Sequence, residues 1–330
     1  MMWLKILLSP LIAVFGIILG LSFKGVDRVL AARMQSRVGP PITQPFKDVE
    51  KLMVKENVVP GNAIEWLFNL MPVVALSTVL VILLYLPLGP LEPVLEGHGD
   101  LILVLYLLIL PSLALVLGGF SSGSPYAIVG AQREMITMMS YEFPLAIASV
   151  SIAWLLSSVK PGLNVFSLEV ISSNPVWSLV GPLGFIGLFL LFLVLLFVMP
   201  GETGKIPFDV SKAESEIAGG VLAEYSGRNL ALFYLTGAVK TVVLASLTVA
   251  LFLPWNPSSL LGISGLLGAA SDTIFYLIKL FAVIFVGSTL VSVSTARLRI
   301  NQVVYVYWVP AVLMSVLGLL FIGVDVVYLS

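Results

Sequence analysis

Eight apolar stretches dominate this chain, each long enough to carry a helix across about 30 Å of hydrocarbon, which takes about 20 residues. They lie near 3–23, 66–87, 101–119, 135–159, 178–200, 230–253, 272–294 and 304–327. In lipid, every backbone N–H and C=O must find its partner within the protein, and a helix satisfies them within its own segment. The expected fold is an all-α polytopic membrane protein with about eight transmembrane helices, in one domain spanning 1–330. Polar loops should lie near 24–65, 120–134, 201–229 and 295–303. The first apolar run is too long for a secretory signal, lacks a clear cleavage site and leads into a basic segment, so it reads as a span. Its Gly16 and Gly20 offer a small face for helix contact.

Basic residues give an orientation, because cytoplasmic loops carry the excess of Lys and Arg. The loop after span 1 has seven (Lys24, Arg28, Arg33, Arg37, Lys47, Lys51 and Lys55). The loops after spans 3, 5 and 7 add Arg133, then Lys205, Lys212 and Arg228, then Arg297 and Arg299. The other side holds only Lys5 and Lys160, with Glu92, Glu96 and Asp100 in its first loop. Both termini are expected to be extracytoplasmic and the large loops cytoplasmic. Within the first loop, residues 49–55 mix apolar and charged positions like a short interfacial helix.

Composition excludes several chemistries. Of 330 residues, 59% are hydrophobic and 11% charged, against about 25% charged in soluble domains. With no cysteine and only His98, the chain lacks ligands for an iron–sulfur cluster or an ordinary zinc or haem site. His98 reads as a solvated loop residue. No basic tract suggests nucleic acid. Redox chemistry would therefore belong to a partner.

Charges inside spans are the sharpest clue, since each is costly unless paired or wetted. Glu142 lies in Ser140-Tyr141-Glu142-Phe143-Pro144, where Pro144 removes a backbone donor and opens the helix. A carboxylate there could hold and release a proton. Lys240 and Lys279 sit about ten and eight residues into spans 6 and 7. Such groups either pair to fasten helices or line an ion path, and three in one chain favour the path. The loop after span 5 carries five carboxylates in 23 residues: Glu202, Asp209, Glu214, Glu216 and Glu224. If 211–222 is helical, Glu214 and Glu216 point about 200° apart, one toward a cavity and the other toward a partner. Glu202, at the end of span 5, could pass protons between loop and bundle.

These motifs resemble one family over nearly the whole chain: the membrane anchor subunit of respiratory complex I (subunit 1) and its homologues in energy-converting membrane-bound NiFe hydrogenases. The first loop carries Asp27-Arg28, Met34-Gln35, Arg37, Gly39-Pro40, Gln44-Pro45, Asp48, Lys51-Leu52 and Lys55-Glu56 in order. Span 4 carries Ser140-Tyr141-Glu142. The acidic loop carries Glu202-Thr203, Pro207-Phe208-Asp209, Glu214-Ser215-Glu216 and Glu224-Tyr225, and the last loop carries Arg297, Arg299 and Gln302. The departures are the short Pro41-Ile42-Thr43 link, Gly204-Lys205, Lys212 and Gly237. They weigh against a quinone site, and the mixture looks most like the archaeal membrane-bound hydrogenase and its sulfur-reducing relatives.

The resemblance implies a membrane anchor and coupling subunit of a redox-driven ion pump, an obligate hetero-oligomer. Hydrogenase-like small and large subunits would hold iron–sulfur clusters and a NiFe centre, this chain would bind no cofactor, and antiporter-like membrane subunits would move the ion. Proton handling and coupling would fall to Glu142, Glu202, Asp209, Glu214, Glu216, Glu224, Lys240 and Lys279. Arg28, Arg33, Arg37, Lys51, Arg297 and Arg299 would face the partner module. The alternative within the family reduces a quinone or methanophenazine. One of another class, a stand-alone secondary transporter, would need paired halves with broken helices, which are not evident.

Overall fold

The computed structural model describes residues 2–95, 97, 99–258, 262 and 265–328, the side chains of 2–7 and 328 excepted. Glu96, His98 and the Lys5 side chain lie outside the described residues. The fold is all-α, and no strand occurs among the described residues. Eight helices are long and apolar enough to cross a membrane: Leu8–Met34, Glu65–Tyr85, Asp100–Ser121, Pro125–Val159, Pro182–Glu202, Gly227–Phe252, Leu266–Ser294 and Ile300–Val327. They are called spans 1 to 8 in chain order. An amphipathic helix, Gln44–Val54, follows span 1 and packs on spans 1 and 6.

Span 6 is the axis of the bundle. It is buried over 94% of its most apolar window, whereas the other spans are buried over at most half. Spans 1, 2, 5 and 7 pack against it, and spans 3, 4 and 8 extend the wall through 2–3, 3–4, 4–5 and 5–8 contacts. Burial here is gained by close packing, because lipid tails are as apolar as leucine. Small residues permit it: a Cβ on Gly20 would stand 2.8 Å from the Ala238 carbonyl of span 6, so only glycine lets spans 1 and 6 approach so closely. Gly16 meets Leu83 of span 2 in the same way. The exposed apolar surface, such as Leu11, Val14, Ile18, Phe185 and Leu313, faces lipid or neighbouring subunits.

Two boundaries differ from the expectation. Span 1 continues as helix to Met34, so Lys24, Asp27, Arg28 and Arg33 lie on a helix and not in a loop. Charge neutralisation is the reason: Asp27 takes Lys205 at 2.8 Å and the Thr289 hydroxyl, Arg28 meets Asp48 at 2.8 Å, and Lys24 lies 3.2 Å from the Tyr234 ring centre. Span 4 starts at Pro125, ten residues early, with the proline at its first turn where no N–H is missed. Its charged Arg133 and Glu134 end the apolar run, but they are covered by the loop after span 5. Residues 211–222 are not one helix. A 3-10 turn at Val210–Lys212, a single turn at Glu214–Ile217 and another 3-10 turn at Gly220–Leu222 are broken by left-handed Ala218 and Gly219.

The end of the bundle away from the acidic loop is stitched by buried polar groups. Lys279 donates at 2.8 Å to the carbonyls of Leu253 and Trp255, just past span 6, where a cation suits the helix C-terminus. Asp325 of span 8 accepts the Gly181 N–H at 2.6 Å and so caps span 5. Asp272 accepts from the Ser258 amide and hydroxyl.

Candidate functional site

The acidic loop folds down onto spans 4 and 6 and is held there from several sides. Tyr225 stacks on Phe68 with ring centres 4.1 Å apart and donates to the Phe68 carbonyl at 3.2 Å. Burial raises the pKa of its hydroxyl, so the phenol stays a neutral donor. The Arg133 guanidinium reaches Glu216, and Ser211 donates to the buried Glu134. Arg297, from the link between spans 7 and 8, meets Asp209 at 2.9 Å and Ser215 at 3.3 Å. Gly130 of span 4 makes the close approach possible: a Cβ would lie 2.4 Å from the Val221 amide and 2.9 Å from the Ser211 carbonyl. Gly130→Ala should therefore lift the loop, seen as faster proteolysis within 205–224 of an otherwise folded protein.

Beneath the loop, the central span meets the end of span 5 in a buried ion pair. Lys240 Nζ is 2.8 Å from Glu202 Oε1, and the two side chains are 5% and 2% exposed. Lys240 also donates to Ser112 at 2.8 Å, and Ser112 lies 3.1 Å from the Tyr141 hydroxyl. Glu202 Oε2 is buried and makes no well-formed hydrogen bond. A cavity of about 50 Å³ lies here, lined by Ser112, Glu134, Glu202, Thr203, Lys212 and Lys240. Two carboxylates and two ammoniums thus share a space large enough for water. Tyr307 of span 8 closes one side, with its ring 6.1 Å from Tyr141 and 4.9 Å from Phe208 of the loop.

Glu142 follows Tyr141 and is half-buried, with Oε1 enclosed and without a hydrogen-bond partner. Glu202 and Lys240 are the charges that act on it. Its neighbour Phe143 points outward and stacks on Trp308 at 5.7 Å. A polar route therefore runs from Glu134 and Glu202 through Lys240, Ser112 and Tyr141 toward Glu142.

The structure brings Glu142, Glu202 and Lys240 together and leaves Lys279 out, about 13 residues or 20 Å farther along the bundle. Asp209 and Glu216 serve in loop ion pairs with arginines. Glu214 is exposed and Glu224 half-buried. Of the expected docking residues, Arg33, Arg37, Lys51 and Arg299 are exposed, whereas Arg28 and Arg297 are engaged within the chain. Burial raises the Asp48 pKa, but bonds from Arg28, Gln44 and Tyr234 outweigh it and hold this carboxyl below the usual range. Sequence reasoning missed Glu134, Ser112, Lys212 and Tyr307. Glu134 had a legible signal, since it precedes Tyr141 by seven residues and so shares its helix face. Ser112 and Tyr307 had none.

No group of three or more potential metal ligands occurs among the described residues. Residues 6–323 match the NADH dehydrogenase family. Hydrogenase-4 component C of Escherichia coli (strain K12) is 37% identical over 286 residues, 87% of this chain and 86% of that one. A membrane component of the NADH-quinone oxidoreductase of Frankia casuarinae is 31% identical, covering 93% and 69%. Formate hydrogenlyase subunit 4 of Escherichia coli (strain K12) is 30% identical, covering 86% and 88%. Among solved structures, a chain of the membrane-bound sulfane sulfur reductase, an archaeal respiratory membrane complex, superposes with a TM-score of 0.81 at 27% identity, covering 97% of this chain and 99% of that one. The chain belongs to the NADH dehydrogenase subunit 1 family.

Proposed function

We propose that this chain anchors a peripheral, hydrogenase-like redox module in the cell membrane and couples it to ion translocation. The acidic-loop end faces the cytoplasm, with both termini on the other side, as the Lys and Arg distribution requires. The chain acts as a non-catalytic subunit of a redox-driven pump, and its iron–sulfur and NiFe chemistry resides in partner subunits. Arg33, Arg37, Lys51 and Arg299 offer the exposed cationic surface for that module. Antiporter-like membrane subunits receive the signal laterally.

The observation that carries this reading is the buried Glu202–Lys240 pair, set under the loop and continued by Ser112 and Tyr141 toward Glu142. A buried pair of this kind is weak evidence for stability alone, because desolvation offsets its attraction. In a membrane such groups mark ion paths. Moving one charge against 100 mV costs about 2.3 kcal/mol, so the driving reaction must come from the redox partner. The apolar cleft of about 470 Å³ beside Phe197, Leu290 and Pro310 does not favour a quinone: its lining is apolar throughout, with nothing to orient a polar headgroup.

Affinity purification of the tagged chain from its own cells, followed by reconstitution, tests the proposal. Iron–sulfur-bearing subunits should copurify, the whole complex should move ions during electron transfer, and the isolated chain in liposomes should move none. Ion transport by the isolated chain would overturn it.

A further inference from the structure

A second ammonium shares the cavity with Glu202 and Lys240. Lys212 ends the 3-10 turn Val210–Lys212 of the acidic loop, and its side chain runs up into the cavity beside Glu134, Glu202 and Thr203. Lys240 is fully engaged by Glu202 Oε1 and Ser112, and Glu134 already accepts from Ser211. Lys212 makes no ion pair with a described residue, and Glu202 Oε2 is buried without a well-formed hydrogen bond. A lysine ammonium has three donors and a carboxylate oxygen accepts, and water joins such groups where two to four polar partners surround a cavity of this size.

We propose, building on the function above, that Lys212 is the loop's proton donor to the bundle: its ammonium reaches Glu202 Oε2 through water in the cavity. In the transfer, an N–H bond of the ammonium breaks, water relays the proton, and an O–H bond forms on Glu202. The neutral amine then takes a proton from solvent at the loop face. Burial favours this, because it pushes the Lys212 pKa down, while Glu134 and Asp209 pull it up and Lys240 pushes it further down. The residues on either side hold Lys212 in place: Ser211 is bonded to Glu134, and the loop is pinned again through Asp209 to Arg297. A shift of the loop therefore moves this ammonium relative to Glu202, which is fixed at the end of span 5.

The test separates a proton carrier from a fixed charge. Lys212→Met removes both, whereas Lys212→Arg keeps the charge but cannot release a proton. Ions moved per electron are measured on the assembled complex in liposomes, with Glu142→Gln in the same preparation. Both Lys212 variants should assemble and transfer electrons, with ion movement down at least about tenfold, since a positioned proton-transfer group is worth roughly 10²-fold or more. Wild-type transport by Lys212→Arg would show that charge alone suffices and would overturn the proposal. Wild-type transport by Lys212→Met, or failure of both variants to assemble, would overturn it equally. If Glu142→Gln is blocked while the Lys212 variants are normal, only the role of Lys212 falls. If all three are normal, the coupling function itself falls.

Discussion

Lys240→Met is expected to destabilise the protein by about 3–5 kcal/mol, the usual cost of removing one partner from a buried ion pair. Glu202 would be left charged in the bundle centre, with Lys212 as the nearest remaining cation and no direct bond to it. Glu202→Gln should do similar harm from the other side, stranding the Lys240 ammonium with only Ser112. The double variant Glu202→Gln/Lys240→Met removes both charges and should recover most of the loss, because an uncharged pair of similar volume is often as stable as the ion pair. Thermal unfolding of the four proteins in detergent forms a double-mutant cycle. A double variant as unstable as the sum of the singles would show that the two groups do not act on each other. Recovered stability without recovered ion transport would separate the structural from the functional role of the pair.

Glu142→Gln carries the largest expected functional effect. Glutamine keeps the shape and removes the titratable group. The residue is half-buried and makes no hydrogen bond through Oε1, so the variant should fold, assemble and transfer electrons normally. Ions moved per electron should fall by at least about tenfold, in keeping with the roughly 10²-fold or greater contribution of a positioned proton-transfer group. Transport at the wild-type ratio would remove Glu142 from the path. Phe143→Leu is the matching control: it disturbs the contact with Trp308 of span 8 but leaves the carboxylate in place.

Much of the molecule was legible because lipid restricts what a chain can do. Apolar length alone located eight spans, and the inserted charges marked Glu142, Glu202 and Lys240. The misread boundaries share one cause. At Lys24–Arg33 and at Arg133–Glu134, charge density suggested a loop, but ion pairs and loop cover allow the helix to continue. Lys279 was misjoined to the other ionisable groups because depth along a helix does not reveal what stands opposite. It caps carbonyls just past span 6. The acidic loop gave the opposite error: its carboxylates read as one helical face, but left-handed Ala218 and Gly219 divide it into separate turns.

The amino-acid order by itself determined the class, the number of spans and the membership of the acidic loop in a coupling motif, since hydropathy and spacing are local properties. Only the tertiary structure decided which charges meet. Lys240 and Glu202 are 38 positions apart in the chain and 2.8 Å apart in space. Lys212, Glu134 and Ser112 converge from a loop and two further spans onto one cavity. The physical reason is that pairing of charges in a low-dielectric interior depends on distance across helices, and that distance is set by close approaches such as Gly20 on Ala238 and Gly130 on Val221.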